Sequence, residues 1–293
     1  MDPVTFLIQC LNAVQYGLLL FLVASGLTLI FGAMGIINLA HGSFYMVGAY
    51  FAYGLAPWVG THLHGGFFTT LAAGVLLSIA LGYALEWSFF SFLYEREHLQ
   101  QVLMTYALIL ILEELRSMLV GDDVHGVPVP PLLSGAVPLG GVMTYPVYRL
   151  FISAVCLAIA LGLYLVLSRT RLGMAIRAGA SNREMAQSLG VDIKLLSRGV
   201  FAGGVALAVL AGMIAAPVSS VYPGMGGQVL IVSFVVVVIG GIGSVRGAFV
   251  AALLVGAVDT FGNVFFQQAA GVLVYVLMAA VLLLRPEGLF RHG

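Results

Sequence analysis

Few residues in this sequence have the type and spacing to do chemistry. His62 and His64 stand as an HxH pair, but no acidic residue or cysteine lies close enough to complete a metal set, so no metal site is expected. The serines have no His and Asp arrangement that a sequence can support, so no catalytic residue is expected. The only lysine, Lys194, sits in Asp-Ile-Lys-Leu, with no glycine before it and no Ser or Thr after it. The phosphate-cradling pattern GxxxxGK(S/T) is therefore absent, and hydrolysis of ATP would have to come from another polypeptide. Two kinds of group remain. One is polar residues set into apolar sequence: Asn38 and His41 in GAMGIINLAHGSFYMVGAY (32–50), and Arg246 beside the glycines of VVVVIGGIGSVRGAFVAALLVG (235–256). The other is a polar passage, GMAIRAGASNREMAQSLGVD (173–192), between two long apolar runs.

The rest of the chain supplies the elements that must hold these residues. It is 61% hydrophobic and 8% charged, against an apolar share of roughly 45–50% in soluble domains. Its mean hydropathy is +1.09. No Asp, Glu, Lys or Arg occurs between Asp2 and Glu86. Runs of ~20 apolar residues cross a bilayer as helices, so the expected fold class is all-α, a polytopic transmembrane helical bundle forming a single domain over 1–293. Spans are expected near 6–31, 43–60, 67–93, 101–120, 147–168, 199–219, 229–242, 247–263 and 269–285, with one span fewer or more as alternatives. The N-terminus has no basic n-region and too long an apolar stretch for a signal peptide, so it reads as a retained first span. Cys10 and Cys156 fall inside apolar spans and read as small buried hydrophobes rather than a disulfide or metal pair. The net charge of +0 offers no basic surface to nucleic acid.

Basic residues in short loops favour the cytoplasmic side. That rule places the 169–198 loop, Arg96, Arg285 and Arg291 inside. It leaves the N-terminus outside, together with the Pro- and Gly-rich stretch 121–146 that carries Asp122 and Asp123; Arg149 is an exception. Glu113 and Arg116, three apart on one helix, are expected to neutralise each other. Glu86 is expected to be interfacial or paired, Asp259 to lie at an outer helix end near Asn263, and Trp58 and Trp87 to anchor at the interface.

Both polar segments inside apolar sequence interrupt it with glycine. At ~1.5 Å per residue, 229–240 covers only about 18 Å of a ~30 Å hydrocarbon core. His41-Gly42-Ser43-Phe44 lines up with Arg246-Gly247-Ala248-Phe249. Paired, Gly-interrupted short spans are a pointer to a transporter's passage, and Asn38, His41, Gly42, Gly240, Gly241, Gly243 and Ser244 are its candidate residues. The competing reading is close packing of Gly-rich helices in lipid.

Between Arg169 and Arg198 lie Arg169, Arg171, Arg177, Arg183, Lys194 and Arg198, half of the 12 basic residues. Ser181-Asn182-Arg183-Glu184 fits a capping box, with Ser181 accepting from the Glu184 N–H. Gly190 stands where a helix end needs a left-handed residue. A helix over 182–189 is expected, with Met185, Ala186 and Leu189 on one face. Helices that short are marginal in water, so it would rest on a partner surface or on lipid headgroups.

IINLAHGSFYMVGAY (36–50), GMAIRAGASNREMAQSLGVD (173–192), GGIGSVRGA (240–248) and LRPEGLF (284–290), in this order after GLTLIFG (26–32), resemble the permeases of branched-chain amino-acid ABC importers, and most closely the shorter of the two in each system. EELRSM (113–118) departs from the family's mostly apolar pattern there. The resemblance implies that the 169–198 loop holds a coupling helix at about 181–190, in which Ser181, Asn182, Arg183, Glu184, Met185, Gln187, Leu189 and Gly190 seat in a cytoplasmic ATPase. It implies two such ATPase subunits binding ATP and Mg, a second related permease, a periplasmic substrate-binding protein, and the bacterial inner membrane as location, with no cofactor on this chain. The implied cargo is a branched-chain or other hydrophobic amino acid; urea, short amides or aromatic carboxylates on the same machine are alternatives. A self-powered ion-coupled transporter or channel is an alternative of another class, but it would place an acid at mid-membrane, and the acids here lie near expected span ends.

Overall fold

The computed structural model describes residues 2–94, 96–139 and 143–290. Helices occupy all nine stretches expected to span: α1 (Pro3–Met34), α2 (His41–His62), α3 (Phe67–Ser88), α4 (His98–Val120), α5 (Val147–Arg169), α8 (Ile193–Ser219), α9 (Met225–Gly240), α10 (Val245–Phe265) and α11 (Ala270–Leu284). Two further short helices, α6 (Arg171–Ser181) and α7 (Arg183–Ser188), lie in the polar passage. The Pro- and Gly-rich stretch 121–146 contains a hairpin, β1 (Ala136–Leu139) paired antiparallel with β2 (Met143–Pro146), Val137 opposite Tyr145.

Pro3–Met34, Phe67–Phe92, Val147–Arg169, Ile193–Ser219 and Val245–Phe265 are each long and apolar enough to cross a membrane. α9 and α11, at 16 and 15 residues, are apolar but shorter, and at ~1.5 Å per residue α9 reaches about 24 Å. The chain divides into two compact units, Met1–Ala24 with Pro128–Gly162 and Val232–Gly293, and Ser25–Val127 with Leu163–Ile231.

In the second unit α8 is the central helix, with α2 and α3 laid along it. Small residues set the distance. Gly48 of α2 abuts the Val209 carbonyl of α8, Gly212 of α8 abuts the Tyr45 carbonyl of α2, and Gly82 of α3 faces Ala202 and Val205. Helices in lipid gain little from burying apolar surface against each other, so close backbone approach and dispersion carry the packing. Phe201 of α8 fills the space between, edge-on to Phe44 at 6.2 Å and 4.3 Å from Phe90. α3 and α4 leave Leu76, Trp87, Leu103 and Leu110 exposed, an apolar surface on helices.

In the first unit the opening half of α1 crosses α10 where Gly17 meets the Ala252 carbonyl at a would-be Cβ distance of 2.9 Å and Gly256 meets Ala13 at 2.7 Å. Phe21 stands edge-on to Phe249 beside this crossing at 5.2 Å. Arg149, the exception to the basic-residue rule, is held by an amide: its Nη1 donates to Asn12 Oδ1 at 2.7 Å, and Tyr145 O–H donates to the same oxygen at 3.3 Å, with no carboxylate paired to it among the described residues.

Candidate functional site

The polar passage begins with a reversal. Thr170 caps α6, its Oγ1 accepting from the Gly173 N–H at 3.2 Å, and α6 folds back on the end of α5 so closely that a Cβ on Gly173 would strike the Leu167 and Val166 carbonyls. The Arg177 guanidinium donates to the Leu167 carbonyl, putting a cation where α5 leaves its carbonyls unpaired. No helix was expected over Arg171–Ser181; the sequence reading placed one only at 182–189.

The capping box expected on Ser181 is shifted by one residue. Ser181 is the last residue of α6, and Asn182, with φ −155° and ψ 105°, both ends α6 and starts α7. Its Oδ1 accepts from the Met185 N–H at 2.9 Å. Ser181 cannot cap because it is still helical, and a cap residue needs extended backbone. The other end agrees with expectation. Gly190 has φ +88°, its N–H bonds Gln187 O at 2.9 Å, and the Val191 N–H bonds Ala186 O at 3.1 Å, the paired bonds of a Schellman ending. Asp192 then caps α8 through the Leu195 N–H at 3.0 Å, so Lys194 and Arg198 belong to α8 rather than to the loop.

The face expected to join Met185, Ala186 and Leu189 is split. Ala186 is buried, whereas Met185 and Leu189 are 60% and 78% exposed, with Glu184 and Gln187 exposed beside them. Arg183 turns inward. Its guanidinium lies 4.6 Å from the Tyr94 ring centroid and its Nη2 donates to Ser197 Oγ of α8 at 3.3 Å. Tyr94 O–H donates to Glu86 Oε1 of α3 at 2.6 Å, and Arg198 Nε of α8 donates to Glu86 Oε2 at 3.2 Å. Glu86 is 1% exposed, so it is paired as expected. Burial, then the bond to Glu86, raises the Tyr94 phenol well above its ordinary value and keeps it a donor. Tyr94 and Ser197 carried no signal in the sequence, and Glu86 and Arg198 are 112 positions apart.

The first break covers residues 35–40. Gly35, with φ +68°, ends α1. Asn38, His41 and Ser43 are buried. Asn38 Oδ1 accepts from the Ala40 N–H at 3.1 Å, while its Nδ2 is buried with no hydrogen-bond partner among the described residues. α2 has no side-chain cap. The His41 ring lies against Gly26 of α1, and a Cβ on Gly42 would enter the Gly226 carbonyl of α9.

The second break covers residues 241–244. Gly241 and Gly243 have φ +96° and +82°, and Ser244 caps α10 by accepting from the Gly247 N–H at 3.1 Å. Gly240 and Gly247 are in backbone contact, and the chain end closes over the gap: the Leu289 N–H bonds Ile239 O at 2.8 Å and the Phe290 N–H bonds Gly240 O at 3.2 Å. The structure therefore brings Asn38, His41 and Gly42 together, and separately Gly240, Gly241, Gly243 and Ser244, in different compact units. Arg246 is exposed, and Asp259 accepts from Asn263 Nδ2. Glu113 and Arg116 are paired at 3.4 Å, with Asp122 as a second partner at 2.8 Å. Arg291 lies outside the described residues.

Residues 9–284 match the family described as "Branched-chain amino acid transport system / permease component". The high-affinity branched-chain amino acid transport system permease protein BraD of Pseudomonas aeruginosa is 31% identical over 97% of this chain and 95% of its own length. The permease protein LivH of the corresponding system of Escherichia coli K12 is 28% identical over 97% and 95%. A probable branched-chain amino acid transport permease protein LivH of Methanocaldococcus jannaschii is 28% identical over 95% and 90%.

Proposed function

This chain belongs to the permease-component family of branched-chain amino acid transport systems, and from that premise we propose that it is the shorter membrane permease of an ABC importer that takes branched-chain or other hydrophobic amino acids into the cytoplasm. Two separate ATPase subunits, binding ATP and Mg, drive it; a second, related permease completes the membrane path, and a periplasmic binding protein delivers the cargo. The bacterial inner membrane is its place of work.

The observation that carries this reading is α7. A helix of six residues is too short to persist alone, yet it is capped at both ends, tied inward by Arg183 and Ala186, and left with Met185 and Leu189 bare beside Glu184 and Gln187. That surface fits a cleft on the ATPase. Transport follows as the ATPases pull α7 and rock the bundle between outward and inward openings. The first break is our candidate for the passage, because Asn38 keeps a buried amide donor for which the described residues supply no acceptor.

Gln187→Pro removes a backbone donor from α7 and costs about 3 kcal/mol, more than so short a helix can spare. In vesicles holding the whole complex, this variant should hydrolyse ATP without accumulating labelled leucine. ATP-driven uptake equal to the unaltered complex would remove α7 from the coupling role.

A further inference from the structure

α7 has two side chains that are not exposed, Ala186 and Arg183. Ala186 contributes packing alone. Arg183 is the only charged group by which α7 is tied to the rest of its unit among the described residues, and what it is tied to is not an acid. It lies over the ring of Tyr94, in the segment between α3 and α4, and hydrogen-bonds Ser197. The acid is one step further in. Glu86, two residues from the end of α3, divides its carboxylate between the Tyr94 O–H and Arg198 of α8.

The chemistry makes these contacts depend on one another. A phenol that donates to a carboxylate gains electron density on its ring, which strengthens its hold on a cation over the ring face. Arg198 and Ser197 are adjacent in α8, so one turn of α8 meets both ends of the chain of contacts. Removing the Glu86 charge releases the Arg198 pair and weakens the stacking of Arg183 in the same act. The phenol leads outward from that buried carboxylate to a helix whose other polar side chains, Glu184, Gln187 and Ser188, are exposed.

We propose that Glu86 is a positioning residue for α7: through Tyr94 and Arg183 it fixes α7 to the ends of α3 and α8, so that a displacement of α7 reaches both helices as one movement. The proposal rests on α7 being the coupling helix and adds the residues that carry its motion inward.

The test uses the complete transporter in lipid vesicles and reads labelled leucine taken up per ATP hydrolysed, alongside retention of the ATPase subunits. Glu86→Gln and Tyr94→Leu should keep the subunits and the hydrolysis but lower that ratio by about two- to thirtyfold, the span that mutations along a coupling network produce. Tyr94→Phe keeps the ring under Arg183 and loses only the hydroxyl, so its loss should be smaller than that of Tyr94→Leu. Should Glu86→Gln fail to assemble, Tyr94→Leu decides alone, because it leaves the Glu86–Arg198 pair in place. If Gln187→Pro uncouples transport while Glu86→Gln or Tyr94→Leu keeps the normal ratio, Glu86 serves the fold only and the proposal falls. If Gln187→Pro itself keeps the normal ratio, the coupling reading fails and takes the proposal with it.

Discussion

The break at residues 35–40 and the break at residues 241–244 interrupt apolar sequence in the same way and are closed in different ways. Each is entered through a glycine at positive φ, Gly35 or Gly241. Each is followed by a glycine whose Cα lies on another backbone, Gly42 on Gly226 and Gly247 on Gly240. Two residues later comes a phenylalanine in an edge-to-face pair, Phe44 with Phe201 at 88° and Phe249 with Phe21 at 83°. What fills the gap is where they part. The second break is sealed by backbone: Ser244 caps α10, and the amides of Leu289 and Phe290 take up the last carbonyls of α9. The first is filled by its own polar side chains, and one amide donor of Asn38 is left over. A repeated sequence signal thus marks where helices stop; whether the opening is sealed or left polar depends on what arrives from elsewhere in the chain.

The shared feature of the two breaks carries the largest expected effect. Gly42→Leu and Gly247→Leu each push a side chain into a backbone carbonyl, which no rotamer change relieves. Either should cost more than the about 1–3 kcal/mol typical of overpacking and abolish recovery of folded protein, measured as monodisperse material in detergent. Recovery of one but not the other would show that the likeness between the breaks stops at sequence.

Removing residues 285–293 should come next, because it takes donors from two carbonyls at the end of α9, at about 1–3 kcal/mol for each acceptor left buried and unpaired. A lower thermal midpoint, with faster hydrogen exchange confined to the ends of α9 and α10, is the expected outcome. Equal loosening of residues 35–44 would contradict the separate closures.

Asn38→Leu should change stability little: it loses the bond to the Ala40 N–H, about 1 kcal/mol, and also removes a buried donor that had no partner. Uptake of labelled leucine should nonetheless fall while the complex still assembles. Normal uptake in that variant would leave the first break as structural as the second.

The smallest effect lies away from both breaks. Hydrogen bonding from Arg116, then from Ser117, holds the exposed Asp122 carboxyl below its ordinary value. A lowered folded-state value means the pair's contribution is present above the ordinary carboxylate pKa of about 3.9 and is lost as pH falls through the lower folded value. The thermal midpoint of Asp122→Asn should therefore lie slightly below that of the parent at neutral pH and meet it only in strong acid. A gap that closes near pH 6 would point to another group.

The helices were legible because length and hydropathy alone decide them, and the C-terminal ends of α4 and α5 fall within a residue of expectation. Gly190 was legible because a left-handed helix end leaves few choices of residue. Ser181 against Asn182 was not. Both are good caps, and the choice turns on whether α6 continues to Ser181, which is set by Thr170 and by the fit of Gly173 against α5. The seal over Gly240 and the pairing of Glu86 with Arg198 join positions far apart in sequence, so no local pattern announces them. Met185, Ala186 and Leu189 were grouped on one face, but neighbours in a helix lie about 100° apart, and α7 meets its unit on the side of Arg183 and Ala186, which leaves Met185 and Leu189 bare.

The most direct test of the central claim is a cross-link from α7 in native membranes. Leu189→Cys, exposed in the chain alone, should be joined by a bifunctional maleimide to a polypeptide carrying a P-loop, and ATP should change the yield. Intact complexes that give no such adduct at this position, or a chain recovered without any ATPase, would contradict the account.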